Sequence, residues 1–152
     1  MTHQALRIIF IVAALGFSSG SHAGNIKNDY EKAAAKGDKE AMLNLAFLYE
    51  AGQGVKRDHT LSRRWFEKAA SAGCAEAMNN LGSLYDAGDG VKQDYARAKY
   101  WYERAAAAGS PSAMHNLGLL YSAGDGVQRD EKAANSWFSR AAAAGFSAMM
   151  GY

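Results

Sequence analysis

Apolar residues in this chain fall into short runs of helical spacing separated by glycine-rich breaks. Ala77, Met78, Leu81, Leu84 and Tyr85 keep the i, i+3, i+4, i+7 rhythm of an amphipathic helix. After a break at Gly88-Asp89-Gly90-Val91, the residues Ala98, Trp101, Tyr102, Ala105 and Ala106 keep it again. The break is too rich in glycine to stay helical and predicts a left-handed residue closing the first helix. Asp94 then stands where its carboxylate can accept from the free amides that open the second helix, and Gly109 ends that helix.

The same frame recurs 36 residues earlier and 36 residues later. Trp65, Trp101 and Trp137 are in register, as are Asp58, Asp94 and Asp130, Gly73, Gly109 and Gly145, and Ala46, Gly82 and Gly118. A period of this length predicts stacked supersecondary units, none of which can bury its apolar seams alone. The expected architecture is an all-α solenoid of about three and a half 36-residue helix-pair repeats, at 37–72, 73–108 and 109–144. A partial copy at 145–152 follows, and a half copy at 29–36 precedes. Ser110-Pro111 and Asp38 are expected to cap first helices, whereas Cys74, in the same place, caps poorly. Gly82 and Gly118 lie inside helices, where glycine costs up to about 1 kcal/mol against alanine. Their reuse predicts that a neighbouring helix backbone needs the room. The tryptophans, each on a seam beside Phe66, Tyr102 or Phe138, are expected to form core rather than a ligand stack.

The quoted frame, Ala-Met-x-Asn-Leu-Gly-x-Leu-Tyr-x-x-Gly-x-Gly-Val-x-x-Asp…Trp-Phe/Tyr-x-x-Ala-Ala…Gly, resembles the Sel1-like repeat, a relative of the tetratricopeptide repeat with a longer inter-helix loop. The resemblance covers residues 30–152. It implies a right-handed α/α superhelix that serves as a scaffold for another protein or a peptide, in bacteria often outside the cytoplasm, and it implies no reaction. In the related tetratricopeptide repeats the first helices line the concave face. By that analogy Asn44, Asn80 and Asn116 point into the groove; a structural hydrogen bond to the neighbouring repeat's backbone is the other reading. The first-helix positions that vary around them are Leu43, Phe47 and Glu50, Asn79, Ser83 and Asp86, and His115, Leu119 and Ser122. Together these twelve form the expected partner-binding surface. A disulfide-rich branch of the family is linked to penicillin binding. The alternative function is therefore a cell-wall-fragment or β-lactam binder with weak hydrolase activity.

Residues 1–23 have a different character. Arg7 precedes the apolar run Ile8–Phe17, and Ser21-His22-Ala23 offers small residues where a signal peptidase reads. This predicts a cleaved secretory leader, a mature chain starting at Gly24, and a periplasmic or secreted location without stable membrane insertion. The run of ten is too short to span a bilayer core of about 30 Å. Without Arg7, the 17 basic residues become 16 against 15 acidic ones, a near-neutral balance that gives no reason to expect nucleic acid. With one cysteine, no internal disulfide can form.

Candidate chemistry is sparse. His59 and His115 fall at unrelated frame positions and are expected to face solvent, and no metal-ligand spacing is present. The Gly-x-Gly loops follow helices rather than strands, against a nucleotide site. No cofactor or metal is expected, and no hydrolase signature appears. The expectation is a protein that is not an enzyme. Residues 146–152, apolar at Phe146, Met149, Met150 and Tyr152, are expected to support weak self-association.

Overall fold

The structure, a computed structural model, describes residues 21–146. These residues form seven helices and, among them, no strand: α1 (Ser21–Ala35), α2 (Lys39–Ala51), α3 (His59–Ser71), α4 (Ala75–Ala87), α5 (Tyr95–Ala107), α6 (Pro111–Ala123) and α7 (Glu131–Ala143). Residues 1–20 and 147–152 lie outside the described residues. The expected leader and most of the expected self-association segment therefore lie there; Ser21-His22-Ala23 opens α1.

Each repeat is a helical hairpin: α2 with α3, α4 with α5, α6 with α7. The predicted signals set its boundaries. Asp58, Asp94 and Asp130 accept from Leu61, Arg97 and Ala133 N–H at 2.9, 3.0 and 2.9 Å. Each such cap is worth about 1 kcal/mol. Asp38 and Ser110 cap α2 and α6, and Cys74 makes no side-chain cap bond to α4. Gly52, Gly88 and Gly124 close the first helices in the left-handed region, each N–H donating back to Leu48, Leu84 or Leu120 carbonyl. Gly126 has a second duty. A Cβ there would strike Tyr95 at the start of the preceding repeat's second helix, so this loop docks one repeat on the next only because the side chain is missing.

The core runs through all three hairpins. Phe66 and Tyr102, each 1% exposed, are its largest fully buried rings; Leu81 and Leu117 join them from the first helices, and Leu45 is buried in a smaller cluster with Ala34 and Ala41. This corrects the expectation for the tryptophans. Trp65, Trp101 and Trp137 are half-buried at the edge of the core, because the next residue along each second helix turns inward instead. Their outer faces carry the cation three residues on: Lys68 lies 4.1 Å from the Trp65 ring centre, Arg104 5.5 Å from Trp101, and Arg140 4.0 Å from Trp137. At exposed sites such a contact contributes about 0.5–1 kcal/mol.

The helical glycines answer to those inward rings. A Cβ on Gly82 would lie 2.5 Å from the Tyr102 ring, and one on Gly118 would strike Phe138 in the same way. A ring fills the space, not the helix backbone that the sequence suggested. Ala46 takes this place in the first hairpin, in the same core cluster as Phe66. Tyr102 is held by its hydroxyl and cannot back away. Gly82→Ala is therefore expected to destabilise by about 1–3 kcal/mol, as overpacking does, despite the propensity gain of about 1 kcal/mol. Urea denaturation checks this; an unchanged or raised midpoint would show that the ring is free to shift.

Candidate functional site

The first helices α2, α4 and α6 lie side by side, and residues four, three and four apart form one open stripe along each. On α2 the stripe is Glu40, Asn44, Phe47 and Ala51; on α4, Glu76, Asn80, Ser83 and Ala87; on α6, Ser112, Asn116, Leu119 and Ala123. All twelve are at least partly exposed, and Leu119 is 50% exposed. Asn44 and Asn80 make no side-chain hydrogen bond among the described residues, so their amides are open to a ligand.

Other expected surface residues are engaged elsewhere. Leu43 is 4% exposed and belongs to the core cluster, which corrects its placement on the surface. Its position lies about 100° around the helix from Asn44, on the side against the stack. Asn79 and His115 are its counterparts, and both are used between elements. Asn116 Nδ2 donates to Asn79 Oδ1 at 3.0 Å, joining α6 to α4. The bond runs between side chains, not to the backbone as the structural reading had it, and Asn44 and Asn80 show no counterpart. His115 faces solvent only in part. It stacks on Phe146, ring centres 4.3 Å apart, and leans on Phe138 at 5.2 Å. Burial holds its imidazole below the ordinary histidine range.

Ser83 and Asp86 hold the buried phenol of Tyr102. Its hydroxyl donates to Asp86 Oδ2 at 3.2 Å and lies 3.2 Å from Ser83 Oγ, which is left to donate to it. Phe47 meets Phe66 edge-on at 5.4 Å. The sequence carried a signal for this pairing. Of the three full repeats, the one whose inward ring has a hydroxyl is the one that offers Ser and Asp opposite; the phenylalanine repeats offer Phe47 with Glu50, and Leu119 with Ser122.

Burial, then the neighbouring Asp125, raises the Asp86 carboxyl above its usual range, with the Tyr102 hydrogen bond opposing. Glu76 is raised by burial and by the charge of Glu40 on the adjacent first helix. The Cys74 thiol is buried and pushed up by that burial, which favours the protonated, unreactive form. Among the described residues, no three His, Cys, Asp or Glu side chains group as metal ligands, and no helix is long and apolar enough to cross a membrane.

The Sel1 repeat family model matches residues 15–38, 39–74, 75–110 and 111–146. The chain belongs to the Sel1 repeat family. Its hairpins α2–α3, α4–α5 and α6–α7 fall within the last three matches, and α1 within the first, which begins inside the expected leader. A Sel1 repeat protein from Oxalobacter formigenes is 34% identical, with a TM-score of 0.75 over 83% of this chain and 56% of that one. A protective antigen of uropathogenic Escherichia coli displaying an SLR fold is 39% identical, with a TM-score of 0.72 over 76% of this chain and 25% of that one. The chain thus spans about half of the first protein and a quarter of the second. Helicobacter pylori cysteine rich protein B, at 23% identity and TM-score 0.65 over 86% of this chain and 94% of its own, shares the fold. No curated protein matches the sequence. The fold is that of the expected all-α, right-handed solenoid.

The Asp86 carboxyl yields a pH prediction. A carboxyl raised in the fold binds its proton more tightly there than in the unfolded chain. Stability therefore rises as pH falls through the folded value, and the ionised group opposes folding at neutral pH. Asp86→Asn keeps an acceptor for Tyr102 and removes the charge. Its urea midpoint at neutral pH should equal or exceed that of the parent, with part of the acid-side gain lost. A lower neutral midpoint would mean that the charge itself is required.

Proposed function

We infer that this chain, as a member of the Sel1 repeat family, serves in protein–protein interaction. We propose that this chain is an exported, non-enzymatic scaffold that binds a protein or an extended peptide through the concave face of its first helices. The observation that carries the reading is the open stripe on α2, α4 and α6. The side-chain amides of Asn44 and Asn80 are unengaged there, and Leu119 is half exposed on a rigid stack.

The physical logic is that of a preorganised surface. The caps, the ring seats and the interlocking loops fix the helices before any ligand arrives, so little ordering cost falls on the scaffold at binding. Amides spaced one per repeat can hold an extended backbone, and Phe47 and Leu119 add apolar contact. Ser83, Asp86, His115 and Asn116 have side chains engaged with neighbouring residues and hold the surface in place rather than reading the ligand. Export rests on Arg7, the apolar run Ile8–Phe17 and the Ser21-His22-Ala23 segment.

The test uses protein purified from the cell envelope, whose intact mass should begin at Gly24. With the partner recovered from an envelope extract, Asn44→Ala/Asn80→Ala/Leu119→Ser should weaken affinity about tenfold or more, the size of a few lost interface contacts of about 0.5–1 kcal/mol each. The second-helix variant Tyr100→Ser should bind as the parent does. A mass that includes residues 1–23 would refute export. Equal affinity of the first-helix variant would refute the face.

A further inference from the structure

Charge is sorted between the two layers of the stack. The second helices α3, α5 and α7 carry Arg63, Arg64, Lys68, Arg97, Lys99, Arg104, Lys132 and Arg140 against three glutamates. The first helices α2, α4 and α6 carry Glu40, Glu50, Glu76 and Asp86 against Lys39 alone. A chain close to neutral is thus basic on one layer and acidic on the other.

The open stripe sits on the acidic layer. At one end of it Glu40 and Glu76 stand at the same position of successive first helices, and no cation among the described residues pairs with either. Burial first, and then the charge of Glu40, raises the Glu76 carboxyl above its usual range. Beyond Lys39, no Lys or Arg stands on any first helix to neutralise them. The middle of the stripe is amide and apolar, at Asn44, Asn80 and Leu119. We propose that the first-helix face takes an extended peptide segment bearing Lys or Arg, its backbone held by the asparagine amides and its cations set against Glu40 and Glu76. This deepens the proposed function and rests on it. The occupant follows from complementarity: a cationic side chain relieves a repulsion the free face carries, and an acidic segment would add to it. Steering by the acidic layer would also speed encounter at low ionic strength.

Selection from displayed random peptides of about twelve residues, more than enough to cross three first helices in extended form, tests the inference on the full chain at low salt. The selected sequences should carry Lys and Arg in clear excess over Asp and Glu. Glu40→Gln/Glu76→Gln should weaken their binding by about threefold to tenfold, as the loss of two partly exposed ion pairs does, and added salt should weaken binding to the parent. Glu103→Gln, on the second-helix layer, should leave affinity unchanged. Peptides without a basic excess whose binding is still lost in Asn44→Ala/Asn80→Ala would overturn the charge inference and leave the face standing. Peptides indifferent to both first-helix variants, or no selected peptide at all, would overturn the face and the inference together. Self-association at low salt that disappears in Glu40→Gln/Glu76→Gln, with no peptide selected, would make a second copy the occupant and would equally overturn the proposal.

Discussion

The structure depends on how closely the two helices of each hairpin approach, and one contact sets that distance. In the second and third hairpins an aromatic ring from the second helix fills the space a side chain on the first would need: Tyr102 at Gly82, Phe138 at Gly118. The glycines forgo helix propensity to admit the ring, and the ring returns buried area, on the order of 200 Å² for a large aromatic. With the hairpin closed to this spacing, Leu45, Leu81 and Leu117 become inaccessible and the seams meet the next repeat. The exposed stripe is what remains of each first helix after these two contacts are made. The open stripe and the core are thus different sides of the same helices, and the ring seat orients both.

Stacking adds the second requirement. Loop 124–130 reaches back onto Tyr95, and Asn116 reaches Asn79. Each joins neighbours only. In such an array, stability is the sum of hairpin terms and nearest-neighbour terms, so a defect in the middle hairpin cuts two interfaces where a terminal one cuts one. Tyr102 occupies that central position, with its hydroxyl held on both sides.

Much of this was legible in the sequence because the local signals are chemical and occur three times. Asp58, Asp94 and Asp130 can cap wherever a helix starts after them, and Gly52, Gly88 and Gly124 end helices for reasons internal to the backbone. Burial was less legible. Trp101 and Tyr102 are adjacent, both aromatic and both compatible with an apolar seam; which turns inward depends on the rotation of α5 against its neighbours, and no local rule sets that. Leu43 shared its frame position with Asn79 and His115, so variability pointed to a surface, whereas the position faces the stack in every repeat and each residue solves that packing differently. The match between Tyr102 and its Ser83–Asp86 pair was present in the sequence, but only as covariation between repeats.

Ligands that meet the first-helix layer, with the second helices as its back, would be seen directly by side-chain NMR. The amide groups of Asn44 and Asn80 report on one layer, and the indole N–H groups of Trp65, Trp101 and Trp137 report on the other. On titration with a bound partner, the asparagine amide signals should shift progressively with occupancy while the three indole signals stay in place. Movement of the indole signals with the asparagine amides unchanged would contradict the account and put the binding surface on the opposite side of the stack.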